Sequence, residues 1–196
     1  MKQNHYIKYF KNIIEISKKI DIKVLDSIIT TLCKVKRNKG RVFFIGAGGS
    51  AGNCSHAVND FRKLCLIEAY APTDNVSELT ARVNDEGWET VFSEWFKISN
   101  LNSKDSIFIL SVGGGDKKKN ISQNLIEAIK YAKKKKVKIL GIVGRDGGYT
   151  KKNGDNIILV PNIDNDLVTP LSESFQSVIL HCIVSSPRLQ SNKTKW

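Results

Sequence analysis

The sequence predicts a three-layer α/β fold, a five-stranded parallel sheet between layers of helices, preceded by two further helices. Two observations predict it. From Ser106 onward, each short apolar burst is separated from its neighbour by a helix-like segment or a glycine-rich turn, as a doubly wound sheet requires and a hairpin sheet does not. Glycine-rich loops also follow several of these bursts directly, where an open parallel sheet places its ligand-binding turns.

The elements follow in chain order. Residues 5–36 carry Ile13, Ile16 and Ile20, then Leu25, Ile28, Ile29 and Leu32, at helical spacing, and a break near Lys19 to Asp21 separates two helices. With no strand between them, they need a further partner surface, either the sheet or another subunit, and the second possibility motivates an oligomer. Arg41 to Ile45 opens a strand, VFFI, running into GAGGSAGN and a helix from about Cys54 to Leu64. The next strands are read at Leu64 to Ile67, Ser106 to Leu110, Val137 to Val143 and Ile157 to Val160. Asn100 to Asp105 is a turn, Ser122 precedes a helix over Gln123 to Lys134, and Asp146 to Asp155 is a polar excursion. A last helix begins around Pro170 or Leu171 and carries His181, and residues 188–196 fray. No repeat or second domain divides residues 1–196.

Composition narrows the function. With 41% hydrophobic residues the chain can bury a sizeable core, so disorder is excluded as its general state. No apolar run approaches bilayer length, and MKQNHYIKYFKN is too polar for a secretory signal, so a cytoplasmic protein without a membrane partner is expected. Cys33, Cys54, Cys65 and Cys182 form no Cys-x-x-Cys pair and read as reduced thiols. The formal charge of +12 points to an anionic partner or to a lysine-rich solvated surface. Aromatic residues are not interleaved with the lysines as stacking platforms, so no specific nucleic-acid partner is expected.

Two loops suit an anion. In Gly46 to Asn53, between a strand and a helix, small residues including Gly49 let backbone N–H groups approach a ligand, while Ser50, Asn53 and Ser55 add short polar side chains. It is not a strict dinucleotide fingerprint, because Ala51 stands at the third glycine position, and it lacks the Gly-Lys-Ser or Gly-Lys-Thr ending of a P-loop. The second loop, Ser111-Val112-Gly113-Gly114-Gly115, follows the SIFIL strand, with Ser122 at the next helix start and Lys117, Lys118 and Lys119 nearby to neutralise charge. The two loops are expected to converge on one ligand. A third, Gly144 to Gly148, has fewer hydroxyls and ranks below them.

Groups able to move protons sit on two helices. His56 and Asp60, four apart, share a face, as do Glu173 and His181, eight apart. A sugar phosphate held by its phosphate would leave its carbonyl and neighbouring hydroxyl to such groups, which can pass a proton through an enediol. His181 leads as acid or base, and Asp60 and Glu173 compete for the complementary role. If the helices meet, the same four residues also suit zinc.

At this level the chain resembles the sugar isomerase (SIS) domain family, specifically its phosphoheptose isomerase branch. The resemblance rests on GAGGSAGNCSH, on the stretch from Leu79-Thr80 to Asn84-Asp85-Glu86-Gly87-Trp88, on GIVGRDGG and on the last helix with His181. It implies a flavodoxin-like fold and interconversion of sedoheptulose 7-phosphate with D-glycero-D-manno-heptose 7-phosphate, feeding activated heptose for capsule or lipopolysaccharide. It also implies a homotetramer with the leading helices in its core, and zinc at His56, Asp60, Glu173 and His181, with Asp60 and His181 as the catalytic pair. Asn53, Ser55, Asp85 and Ser111 are the leading substrate positions, joined by Gly49, Ser50, Gly113, Gly114, Ser122 and Glu173. The chain departs from the family at Asp60, where glutamate is usual, and at Glu173, where glutamine is usual. Its phosphate loop is SVGGGDKKKN, with Val112, Gly113 and Asp116 at positions usually bearing hydroxyls. The resemblance leaves two other readings, a noncatalytic relative that binds a replication initiator and an isomerase or binder of another sugar phosphate.

Overall fold

The computed structural model describes residues 4–194. Five strands, β1 (Val42–Ile45), β2 (Ala69–Tyr70), β3 (Ser106–Ser111), β4 (Lys138–Val143) and β5 (Asn156–Leu159), form one sheet in the order β2-β1-β3-β4-β5, every pair parallel. In register, Val42 stands opposite Ser106 and Ile45 opposite Ile109, while Ser106 stands opposite Lys138.

Helices cover both faces, which is why the strands are apolar throughout rather than alternating. On one face Phe44, Phe108, Leu110, Leu140, Ile142 and Ile158 share a core with α2 (Ile22–Arg37), α3 (Gly49–Lys63) and α8 (Val168–Val184). On the other, Phe43, Ile45, Ile107, Ile109, Ile139 and Ile157 pack under α5 (Val91–Ile98) and α6 (Gln123–Lys134). Period-two alternation of the strand side chains assigns each residue to its layer.

The two leading helices form as their periodicity predicts. Asn4 accepts from Tyr6 N–H at the start of α1 (His5–Lys18), and Asp21 accepts from Lys23 and Val24 N–H at the start of α2. Ile16 is buried, and Lys8 anchors α1 to Asp164 across the fold at 2.5 Å. On the other side of α1, Tyr6, Ile7, Phe10 and Ile14 are each more than half exposed.

Arg41 and Asp105 fix the entry to the sheet. The buried Asp105 carboxylate accepts from Arg41 N–H, Nε and Nη2, and from the Asn102 backbone and side chain.

The structure corrects several boundaries. The burst from Leu64 to Ile67 is the turn after α3, not a strand: Leu66 sits at a φ of 53°, and Leu64, Cys65 and Ile67 are buried as plugs beneath α3. The second strand comes two residues later. α3 starts at Gly49 because its first turn is built from the glycine loop itself, and α8 starts at Val168. Between β2 and β3, where no element was expected, lie α4 (Val76–Glu86) and α5. The excursion after β4 contains the short α7 (Gly148–Asn153).

The tail also differs from expectation. Arg188 bonds Asp26 and Thr30, Leu189 is fully buried, and Ser191 and Asn192 N–H donate to Leu64 O, so residues 188–192 are docked. Trp196 lies outside the described residues. One segment, Asn165–Val184, has the length and mean hydropathy (1.3) of a membrane span, an amendment to the expectation that no run approaches that length. It is half buried against α3 and the sheet, as a core helix is.

Candidate active site

A polar seam brings α3 and α8 together. Gln176, fully buried, donates to Ser50 Oγ at 3.1 Å and accepts from Asn53 Nδ2 at 3.0 Å. Asn53 also donates to Glu173 O at 2.9 Å and accepts from Ser177 Oγ at 2.8 Å. Ser50 and Asn53, expected to hold substrate, therefore spend their side chains on helix pairing, since buried polar groups must find partners.

Beyond Asn53 along α3, this seam places three titratable side chains around one point. His56 Nε2 lies 2.9 Å from His181 Nε2 and 3.4 Å from Asp60 Oδ2, and His181 Nε2 lies 3.7 Å from the same oxygen. The rings are nearly perpendicular, at 87°. Both histidine side chains are about half exposed and Asp60 is mostly buried, so the triangle opens to the protomer surface.

The triangle fits a metal. Ligands about 2.0–2.1 Å from a tetrahedral zinc stand roughly 3.3–3.4 Å from one another. The three observed edges bracket that value, and two imidazoles and a carboxylate are zinc donors by type. Glu173 does not join them. Its carboxylate lies instead against Gly49, where an added Cβ would stand 2.5 Å from Oε2.

Other expected positions fall elsewhere. Ser55 Oγ bonds Asp74. Asp85 is exposed on α4 and accepts from Asn84 Nδ2 at 2.7 Å. Burial raises the Cys54 thiol and raises that of Cys65 to about 11, which removes both as thiolate nucleophiles near neutrality.

The second and third glycine loops, rather than the first and second, line one cationic cleft. Ser111 Oγ accepts from Gly114 N–H at 3.0 Å, Gly114 O accepts from Thr150 N–H and Oγ1, and Tyr149 N–H donates to Gly115 O. A Cβ on Gly114 would overlap Gly147 O, so this interlock requires glycine there. Ser111 and Gly114 thus build the loop, while Gly113 and Ser122 line the cleft of about 1150 Å³.

Next comes a small hairpin. Asp116 and Ile121 exchange two backbone hydrogen bonds at 2.9 and 3.0 Å, and Asp116 Oδ1 accepts from Lys118 and Lys119 N–H. The Lys119 amide bond, first, then that of Lys118 hold the Asp116 carboxyl below its ordinary range. Lys117, Lys118 and Lys119 are presented into the cleft, with Arg145 from the third loop, Lys152 from α7, and Tyr149, Asn162 and Thr169. The third loop, ranked below the others from sequence, shares this cleft with the second through Arg145, Asp146 and Gly148. An arginine at a strand end was the available signal, whereas Lys152 depended on the unforeseen α7.

α8 connects the two features. Thr169 edges the cleft, Glu173 follows one turn later and His181 two turns after that, axial steps of about 6 Å and about 12 Å.

Comparison with known proteins gives a consistent assignment. The SIS domain family matches residues 5–144. The chain is 31% identical over 154 residues to the phosphoheptose isomerase of a Nitratiruptor species, covering 76% of each chain. It is 29% identical over 160 residues to the lincomycin biosynthesis protein LmbN of Streptomyces lincolnensis, 76% of this chain but only 56% of that protein's length. The structure of phosphoheptose isomerase GmhA from Neisseria gonorrhoeae superposes with a TM-score of 0.79 at 23% identity, covering 92% of both chains.

Proposed function

The chain belongs to the SIS domain family, in its phosphoheptose isomerase branch, and from that premise we propose that it interconverts sedoheptulose 7-phosphate and D-glycero-D-manno-heptose 7-phosphate. The observation that carries the reading is the triangle of His56 and Asp60 on α3 with His181 on α8, the helix that also edges the cationic cleft. At roughly 1.2 Å of advance per bond, as in an extended chain, a seven-carbon phosphate spans about 10 Å. Anchored at the Thr169 end of the cleft, such a ligand reaches past Glu173 and covers about 10 Å of the roughly 18 Å along α8 from Thr169 to His181.

In the ketose-to-aldose direction, a base removes a proton from C1 while the C2 oxygen gains one, giving the enediol. Return of a proton to C2, with loss of one from the C1 oxygen, yields the aldose. Asp60 and His181 are the proposed pair, and Glu173, between cleft and triangle, is the competing base. Asn53 acts on this chemistry by fixing α8 against α3. His56, Asp60 and His181 would hold zinc. A zinc ion bound there supplies Lewis acidity toward a carbonyl oxygen.

The same reading includes a cytoplasmic homotetramer that buries the exposed face of α1 and supplies heptose for capsule or lipopolysaccharide. The test incubates purified protein with sedoheptulose 7-phosphate, with and without added zinc, and follows aldose formation. No aldose in either condition removes the assignment.

A further inference from the structure

The cleft carries more charge than its neighbourhood compensates. Its lining includes five cationic side chains, Lys117, Lys118, Lys119, Arg145 and Lys152, and two carboxylates, Asp116 and Asp146. Both carboxylates are already engaged by backbone amides: Asp116 by Lys118 and Lys119, and Asp146 by Gly148 at 3.1 Å. Among the described residues none of the five cations is in an ion pair, in contrast to Lys97, Lys130 and Lys138, which each bond a nearby carboxylate.

The backbone holds these charges in place. The bridge between Asp116 and Ile121 closes the lysine hairpin. Bonds from Tyr149 and Thr150 to Gly115 and Gly114 clamp the third loop onto the second. Arg145 itself sits at a φ of 49°, a left-handed turn conformation. Two neighbouring loops thus direct like charges into one concavity, an arrangement that is unfavourable unless an anion neutralises it. Ser111 Oγ accepts from Gly114 N–H, which fixes the hydroxyl in the loop and leaves its O–H as a single donor beside the five cations.

We propose that Arg145 and Lys152, together with the lysine hairpin, are the specificity-determining residues that hold the ligand's phosphate as its dianion. This rests on the sugar-phosphate reading only for what the ligand carries beyond that phosphate. Arg145 offers a planar fork of donors and the lysines offer point charges. Recognition is dominated by charge, so affinity falls steeply with salt and rises with pH through the second ionisation of phosphate, near pH 6.

The test measures binding of inorganic phosphate calorimetrically to the full chain, as wild type, R145Q/K152Q, K117Q/K118Q/K119Q and the control K133Q/K134Q on α6. All the substituted side chains are exposed, and thermal melting checks that each variant folds. Loss of charge-assisted bonds predicts about tenfold or greater weakening in both cleft variants, little change in the control, and a shallower salt dependence. With sedoheptulose 7-phosphate, KM rises and kcat is nearly unchanged. Phosphate affinity within about twofold of wild type in both cleft variants, or equal weakening in the control, overturns the proposal. Wild type that binds phosphate through these residues but turns over no heptose phosphate leaves the clamp standing and removes the isomerase reading. Normal turnover with unaltered phosphate binding in the variants does the reverse.

Discussion

His56 Nε2 and His181 Nε2, 125 residues apart in the chain, face each other at 2.9 Å across the seam between α3 and α8. Their meeting depends on Gln176 and Asn53, whose amides fix the two helices in register. Replacing His181 with glutamine is predicted to lower turnover by about 10²–10⁴-fold, the usual worth of a positioned acid or base. Bound zinc, measured by elemental analysis, should fall in parallel. Because the ring is about half exposed, the melting temperature should move little.

Gly49 and Glu173 share one space. A methyl group at residue 49 would stand 2.5 Å from Glu173 Oε2, so Gly49→Ala must push the carboxylate aside. Because residue 49 is exposed and the carboxylate ends a flexible side chain, we expect little change in stability but a reduced kcat. Urea denaturation and steady-state kinetics on the same preparation check both. Unchanged kcat would show that Glu173 has no part in proton transfer.

Asp105 satisfies five donors around the entry to β1, three of them on Arg41. Its removal leaves the partly buried guanidinium without a counter-charge. Asp105→Ala should therefore destabilise the fold by about 3–5 kcal/mol, read as a lower urea midpoint.

α1 is tied to the body by Lys8 and Asp164. The hydrogen bond from Lys8, the largest influence, holds the Asp164 carboxyl below its ordinary range, and the same bond raises Lys8. A depressed carboxylate pKa stabilises the fold above the unfolded value of about 3.9, and that contribution is lost as pH falls through the folded pKa. Asp164→Asn should accordingly be less stable than wild type near neutrality, and the difference should vanish in acid. Denaturation series at several pH values check this. A difference that persists in acid would assign the loss to Asn12, which also bonds Asp164.

The outward face of α1 carries the assembly prediction. Ile7→Asp/Phe10→Asp should shift the protein to smaller species by sedimentation without unfolding the protomer, because both side chains are exposed within it. Unaltered sedimentation would exclude this face from the interface.

Much of the fold was legible because its signals are local. The β1 run VFFI and the Gln123 start of α6 follow from apolar period, and the Lys19 to Asp21 break from the Asp21 cap of α2; Ser122 makes no side-chain cap bond to α6. Leu64 to Ile67 misled because buried turn residues have the composition of a strand, while the two-residue β2 gives almost no periodic signal. His56, Asp60 and His181 could be paired within helices by spacing. Their mutual contact, however, depends on Gln176, whose role is visible only once α3 and α8 are packed. Glu173 shows the limit of spacing: it shares a helix with His181 yet turns to Gly49. The cationic cleft was half read, since the lysine run is conspicuous in sequence but its union with Arg145 and Lys152 comes from the interlocked loops.

The most direct test follows deuterium incorporation from heavy water into sedoheptulose 7-phosphate and its aldose product by mass spectrometry, comparing wild type with His181→Gln. The account predicts aldose formed by wild type, solvent deuterium at the carbon that receives the proton, and both largely lost in the variant. Aldose and exchange at wild-type rates in the variant, or neither from wild type with zinc supplied, would contradict it.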